Sequence, residues 1–363
     1  MVYGTLTRFD TLATAYNTTV AKFGEDLAWQ AIQDALDAHN QQLNEAMGEF
    51  VESSTDRLRR YGGPDSMAMD ELDEFATPDA QKISAGVTVA FPLKMYGIAL
   101  QWTRLYFQNA MASEIAAQTV AAQDADIKAI HRELKKALFF TSNYTFLDRR
   151  VDGISLGVKA LVNADGAAIP IAPDGTTFNG ATHTHYLSAV ASWSGATGLQ
   201  IGQDLFNAST GLIDTVLEHF LGGQILLLIN RAQETQVRSA TNFTQYLDAR
   251  LIPATTSNQA RAPLDMTNVT NRAIGIVGPA EVWVKPWIPP GYVLCLHVGQ
   301  GGNALVRRTR EGGGGNLDIL FDNEIYPLRA RAMGREFGFG VFNRVAAAVL
   351  YTTTGGYVNP TIT

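Results

Sequence analysis

His183 and His185, in Thr182-His183-Thr184-His185-Tyr186, are the residues whose type and spacing most directly suggest chemistry. On an extended strand, side chains two residues apart share a face, so both imidazoles could reach one metal ion. No Cys, Asp or Glu stands close by in sequence to complete a ligand set. The expectation is therefore inter-strand hydrogen bonding, with no metal ligand, no cofactor-binding residue and no catalytic residue assigned. His39, His131, His219 and His297 stand alone on helix faces or strands and read as structural.

Other signatures of catalysis fail on their particulars. Trp193-Ser194-Gly195 does not supply the Gly-x-Ser-x-Gly pattern of a strained nucleophile elbow. Gly299-Gln300-Gly301-Gly302 and Gly312–Gly315 lack the Lys-Ser/Thr pair of a phosphate loop and read as turns. The single cysteine, Cys295, lies in Val293-Leu294-Cys295-Leu296, the setting of a small buried hydrophobe, and one cysteine excludes an internal disulfide. Asp65, Asp70, Glu71, Asp73 and Glu74 cluster, but solvation or a basic partner surface explains them without an acid–base pair. The expectation is a protein that is not an enzyme and takes no cofactor.

Composition points the same way. Charged residues make up 17% of the 363, below the usual quarter, while 46% hydrophobic residues suffice for a sizeable core. Low charge suits a surface largely covered by neighbours. The net charge is −7, and the basic stretches Arg57–Arg60, Lys135–Lys136, Arg149–Arg150 and Arg307–Arg310 are scattered. Any contact with nucleic acid would be weak and non-specific. Met1-Val2-Tyr3-Gly4-Thr5 does not open a signal peptide, and the apolar run around Ile225–Ile229 is too short to span a bilayer. A cytosol-like compartment is expected, where Asn-x-Thr triplets such as those at Asn143, Asn242 and Asn268 carry no glycosylation meaning.

The elements follow from periodicity. Ala28, Ile32, Ala35, Leu36, His39, Leu43, Met47 and Phe50 predict an amphipathic helix over Asp26–Val51, needing its own core or a neighbouring subunit to lie against. Ser84–Tyr96 alternates like a strand, and Pro92 favours an exposed two-stranded arm with few apolar partners of its own. The longest helix is predicted over Met111–Phe140, about 45 Å long, with Ala116, Val120, Gln123, Ile127, Ile130, Leu134 and Leu138 in line. Helices are expected over Asp204–Phe220 and Ala232–Leu247, with Gln224–Asn230 a buried strand. Glu281–Lys285 and Tyr292–Val298 read as a hairpin pair, and Gly312–Gly315 as a flexible tip between Ala304–Arg310 and Leu317–Phe321. Ile325–Arg335 and Phe337–Tyr351 close the chain.

The closing stretches Asp322-Asn323-Glu324-Ile325-Tyr326-Pro327-Leu328-Arg329-Ala330-Arg331 and Phe337–Leu350 resemble the last strands of the peripheral domain in major capsid proteins of tailed bacteriophages. Ile169–Phe178 followed by Thr182–His185 resembles a recurrent stretch of the same proteins, and the element order matches over nearly the whole chain. The resemblance implies an α+β, Hong Kong 97-type fold, shared with encapsulin shells. It would have an N-terminal arm at 1–56, an extended loop hairpin at 57–103 and a peripheral domain at 104–192 that holds a long spine helix. An axial domain would occupy 193–302, with a peripheral return at 303–363. It implies a virion protein assembled in the host cytoplasm as a homo-oligomer, pentamers and hexamers of an icosahedral shell around double-stranded DNA. Scaffold, portal and decoration proteins are implied partners, and no membrane. A separate scaffold or none is expected, since about sixty residues before the loop is short for a built-in one. Some relatives crosslink lysine to asparagine, and Lys82 and Lys94 are the lysines of the loop. The alternatives are an encapsulin-like cargo compartment, an α/β enzyme with an unrecognised site, and a sugar- or surface-binding module.

Overall fold

The computed structural model describes residues 8–48, 50–61, 69, 71–75, 77–78, 80, 86–246, 272–299, 303–312, 315–325 and 328–362. For 100–102, 104, 107–108, 321–325 and 328–331 it describes backbone alone. The predicted Met111–Phe140 helix is Ala112–Phe139. Its first turn is closed by Glu114, whose Oε2 accepts from the Met111 N–H at 3.3 Å. The C-terminal half buries Ile130, Leu134 and Leu138 as the spacing requires. In the N-terminal half the buried face is Ile115, Ala116, Thr119, Ala122 and Asp126, so Ala116 is buried as predicted while Val120 is exposed. The reason is Asp126, a carboxylate held inside by a buried cation.

That cation is Arg335, whose side chain is almost fully buried. Its Nε and Nη2 donate to Asp126 Oδ1 and Oδ2 at 3.0 and 2.9 Å, and Nη2 also donates to Asn40 Oδ1 at 2.7 Å. His39 Nε2 meets Asp126 Oδ2 at 2.9 Å. Asn40 joins the 315–317 loop through two bonds with the Leu317 backbone, and Arg335 Nη1 donates to the Gly315 carbonyl. The cluster thus ties the long helix to the helix Glu25–Gly48, the strand Leu328–Val341 and the loop before Asp318–Ile325.

The helix Glu25–Gly48 lies on its own chain. Ala28, Ala31, Ile32 and Leu36 pack with Ala112, Ile115, Ala116, Leu317 and Met333. A bridge between Thr19 and Met111 seats the preceding segment on the start of the long helix. Of the two places this helix could lie, the intramolecular one is realised. Its end leads into the strand Val51–Ser54, which pairs in parallel with Leu305–Thr309.

Two larger sheets make up the body. The five-stranded one is built on Leu328–Val341, along one edge of which Lys94–Thr103 pairs over its full length. On the other edge Asp318–Ile325 and Leu305–Thr309 lie end to end, each paired with a different part of that strand. The seven-stranded sheet runs Tyr186–Ser188, Ala347–Tyr351, Tyr292–Val298, Gln224–Ile229, Ala280–Val284, Arg272–Val277 and Phe243–Gln245. The predicted pairing of Glu281–Lys285 with Tyr292–Val298 is not made. Gln224–Ile229 is inserted between them, antiparallel to one and parallel to the other. A run of five apolar residues must be covered on both faces, and the centre of a sheet does that. Leu226, Leu228, Leu294, Leu296 and Val349 face the long helix, whereas Ile225, Leu227, Ile229, Val293, Cys295 and Leu350 face a layer of short helices. Ala347–Tyr351 thus belongs to the sheet of 193–302 rather than with the rest of 303–363.

Local punctuation breaks the other expected helices. Asp204–Phe220 is divided into Gly198–Leu205 and Leu212–Leu217, because Asp214 accepts the Asn207 and Gly211 N–H groups and starts a new helix there. Ala232–Leu247 gives a short turn of helix at Glu234–Ser239 and then the strand Phe243–Gln245. Val87–Ala90 pairs with Leu58–Tyr61 in the expected two-stranded arrangement, but it is not an exposed arm. Val89 and Phe91 are fully buried with Tyr61, Val162, Val306 and Val345. Arg308 fixes this base, donating to Asp148 at 2.9 Å and to the Phe91 carbonyl at 3.0 Å.

Arg335→Met leaves Asp126 buried without its cation and is expected to destabilise the protein by about 3–5 kcal/mol. Adding Asp126→Asn should recover part of that loss. Urea denaturation of the three proteins decides the matter, and unchanged stability in R335M would contradict the account.

Candidate functional site

The two histidines singled out by sequence do share a face, and they are joined by a third. His183 lies in extended chain, where its carbonyl accepts from Ala164. His185 donates its N–H to Val162 and accepts from Val349, so its backbone is locked between two segments. The strand Tyr186–Ser188 follows at once, parallel to Ala347–Tyr351. His219, read as isolated in sequence, stands just beyond the helix Leu212–Leu217 and points at the same place. The Nε2 atoms of His183, His185 and His219 are 3.1, 3.1 and 3.2 Å apart. Among the described residues they form a group of donors close enough to share one ion.

The chain around them is built to hold that position. The His185 Nδ1–H donates to the Ala347 carbonyl at 2.7 Å, which leaves Nε2 as the unprotonated nitrogen facing the cluster. Phe178 closes one side, its ring 4.2 Å from that of His219 and 4.9 Å from that of His183. After His219 the chain turns through Phe220, stacked on His297 at 3.9 Å, and His297 Nε2–H donates to the Gly222 carbonyl at 2.7 Å. Gly223 has φ +120°, and a Cβ there would lie 2.1 Å from His297 Nε2, so this turn needs glycine on both counts.

Burial sets the charge of the group. It lowers the pKa of His183, puts that of His185 well below the usual range, and takes His219 to about 3, with the neighbouring imidazoles adding to the last two. All three are neutral at pH 7. Glu218 Oε1 is 3.5 Å from His183 Nε2 and 3.8 Å from His219 Nε2. Its carboxyl is pushed up to about 7, first by burial and then by Asp214.

The remaining residues weighed for chemistry are elsewhere. Cys295 is fully buried in the core, and burial pushes its thiol far up. Trp193 is buried with its indole N–H donating to Asp204 at 2.9 Å. Gly299 and Gly312 both have positive φ and follow strands, as turn residues do, while 300–302 and 313–314 lie outside the described residues. Of the acidic patch, Glu71, Asp73 and Glu74 are exposed, and Asp65 and Asp70 are outside the described residues. Lys82 is outside them too, whereas Lys94 is paired with Glu133 at 2.7 Å.

Among the described residues, several large apolar side chains are left exposed at the surface. Met69 and Phe75, between Tyr61 and Val87, are 102% and 93% exposed, and Val190 and Leu221, at opposite ends of the seven-stranded sheet, are 86% and 85% exposed. Leu105 and Tyr106 are exposed before the long helix. No helix among the described residues is long and apolar enough to cross a membrane.

No family model and no curated protein matches the sequence. A solved structure from Mycobacterium phage Patience matches it with a TM-score of 0.65 and 21% identity, over 98% of this chain and 95% of that one. The capsid of an empty GTA particle (TM-score 0.45, 13% identity, 85% of this chain and 90% of that) is more distant. So is a virus-like particle from Pyrococcus furiosus (TM-score 0.45, 11% identity, 88% and 97%). Scores below 0.5 do not establish a shared fold, so the first likeness alone bears on it. The chain has a mixed helix and strand fold, shared from end to end with the phage chain.

Gly223→Ala is expected to lower stability by more than about 1 kcal/mol, because both its backbone and its closest neighbour resist a side chain. An unchanged thermal midpoint, followed by circular dichroism, would show that the turn carrying His219 is not held by this contact.

Proposed function

We propose that this chain is a structural shell protein, the major capsid protein of a tailed bacteriophage with the Hong Kong 97-type fold. It assembles into pentamers and hexamers of an icosahedral head around double-stranded DNA. The observation that carries the proposal is the fold shared over 98% of the chain with a chain of Mycobacterium phage Patience. Its element order is also the one that the sequence resemblance implies. In this reading 1–56 is the N-terminal arm and 57–103 the extended loop. The peripheral domain takes 104–192 and most of 303–363, and the axial domain takes 193–302 with Ala347–Tyr351 added to its sheet.

Assembly follows from what the surface leaves uncovered. Met69 and Phe75 in the loop, and Val190 and Leu221 beside the axial sheet, lose their contact with water when neighbours cover them. Each contact is modest, but a subunit makes several, and their sum is a durable shell. The chain acts in the virion after assembly in the host cytoplasm, with scaffold, portal and decoration proteins as partners. With its net charge of −7 and scattered basic residues, contact with packaged DNA is weak and non-specific. An encapsulin-like compartment would use the same subunit geometry and differs in its content, a cargo protein instead of DNA.

The loop gives a direct test. Tyr61 and Val87 are register partners at the end of the two-stranded ladder. Replacing 62–86 with Asn-Gly closes the hairpin with a two-residue turn and leaves the buried base in place. The variant is expected to keep the wild-type circular dichroism and thermal midpoint while forming no shells in negative-stain micrographs in which the wild type does. Normal shells from the variant would remove the loop from assembly. A wild-type chain that stays a small oligomer at all concentrations in size-exclusion chromatography would overturn the shell proposal itself.

A further inference from the structure

The three-histidine cluster is a group that shell assembly does not use. Three imidazoles buried against one another need a reason, because a neutral imidazole nitrogen has one in-plane position, filled either by a hydrogen or by a lone pair. A single N–H···N bond satisfies two such nitrogens and leaves the third facing them unpaired. Here the ring centres are 5.1 Å apart on all three sides, while the Nε2 atoms are 3.1–3.2 Å apart. That difference arises when each ring aims its Nε2 straight at a common centre. His185 cannot supply a proton there, since its hydrogen is on Nδ1 and bonded to Ala347.

We propose that His183, His185 and His219 form a binding site for a divalent transition-metal ion, zinc being the ion their geometry suits best. Three ligands of a tetrahedral zinc, each about 2.0–2.1 Å from the metal, are about 3.3–3.4 Å from one another. The observed nitrogens are within a few tenths of an ångström of that spacing. Imidazole nitrogen is a preferred donor for zinc and its neighbours in the first transition row, and not for calcium or magnesium. The Nδ1–H bond to the Ala347 carbonyl is the outer-shell contact that sets ring orientation and raises the basicity of a ligating nitrogen. Burial keeps the imidazoles neutral, the state in which they ligate. Glu218, beside two of the three nitrogens and 36% exposed, lies next to the fourth position, where its carboxylate or a water completes the shell.

The ion would act as a staple. His183 and His185 belong to the loop-rich region after the long helix, and His219 belongs to the short-helix layer on the seven-stranded sheet. His185 is also anchored to Ala347 and Val349 in the closing strand. One ion therefore joins three stretches of chain that are far apart in sequence, and it stabilises the folded subunit by binding that arrangement and not the unfolded chain.

The test uses the full-length chain without a histidine tag, stripped with a chelator and then titrated with zinc against a chromophoric competitor. One ion per chain is expected, together with a higher thermal midpoint. Cobalt in its place should show the intense visible bands of a tetrahedral site. His183→Ala and His219→Gln should each weaken zinc binding roughly tenfold or more, by analogy with the loss of outer-shell partners. They should also abolish the thermal shift and the cobalt bands. His183→Gln is a second variant at the less buried position, in case the alanine exchange impairs folding. Absence of stoichiometric zinc in the wild type, or equal affinity in wild type and a folded His183 variant, overturns the proposal.

Discussion

The buried pair of Asp126 and Arg335 is the interaction on which the rest of the architecture depends. A carboxylate and a guanidinium removed from water are tolerable together and costly apart, so each fixes the place of the other. Asp126 sets the rotation of the long helix, and Arg335 sets the register of the strand that carries the five-stranded sheet. Asn40 and His39 bring the helix Glu25–Gly48 into the same cluster, and the Gly315 and Leu317 backbone brings in the loop beside it. Four elements from three distant parts of the chain thus meet with their hydrogen-bonding groups matched. Such a cluster adds less to net stability than an apolar one of equal size, but alternative packings would leave its charges unmatched.

The second organising constraint is apolar. Gln224–Ile229 has almost no polar side chain, so both faces of the seven-stranded sheet at that point must be dry. One face is covered by the end of the long helix and the other by the short helices. This explains why the strand sits between two that are adjacent in sequence. It also explains why the closing strand Ala347–Tyr351 crosses back into the sheet: it extends the dry surface beyond Tyr292–Val298. The two sheets share one core through Phe337, Phe339, Leu294 and Leu296, so the body behaves mechanically as one unit. In the proposed shell, such a body would set the angles between neighbours as much as the contacts do.

Against this body, the most exposed large apolar side chains among the described residues are Met69 and Phe75, between Tyr61 and Val87, and Val190 and Leu221, at opposite ends of the seven-stranded sheet. The loop's base is buried and clamped by Arg308 and Asp148, with Arg57 completing the set through Asp148 and Asp152. A firmly rooted loop can present apolar side chains to a neighbour at a defined place. Met69, Phe75, Val190 and Leu221 are the side chains that partners would cover. The helix Glu25–Gly48 and the segment Val87–Leu93 are not among them, since both are satisfied within the chain.

Periodicity made the two long helices legible almost to the residue, because three- and four-residue apolar spacing reports a buried face wherever that face ends up. Alternation likewise marked the strands at Val87–Ala90 and Ala280–Val284, but the strand predicted over Ser84–Tyr96 is interrupted around Pro92. Sequence alone also placed His183 and His185 on one face. Tertiary structure decided whatever depends on a partner from elsewhere in the chain. Asp126 is buried because Arg335, 209 residues away, neutralises it. Strand neighbours looked like a hairpin until a more apolar strand took the place between them. His219 looked isolated until the fold brought it, from 34 residues beyond His185, to the same point. A side chain's own character is written locally, but compensation of a buried charge, choice of strand neighbour and convergence of ligands are properties of pairs, and pairs are made by folding.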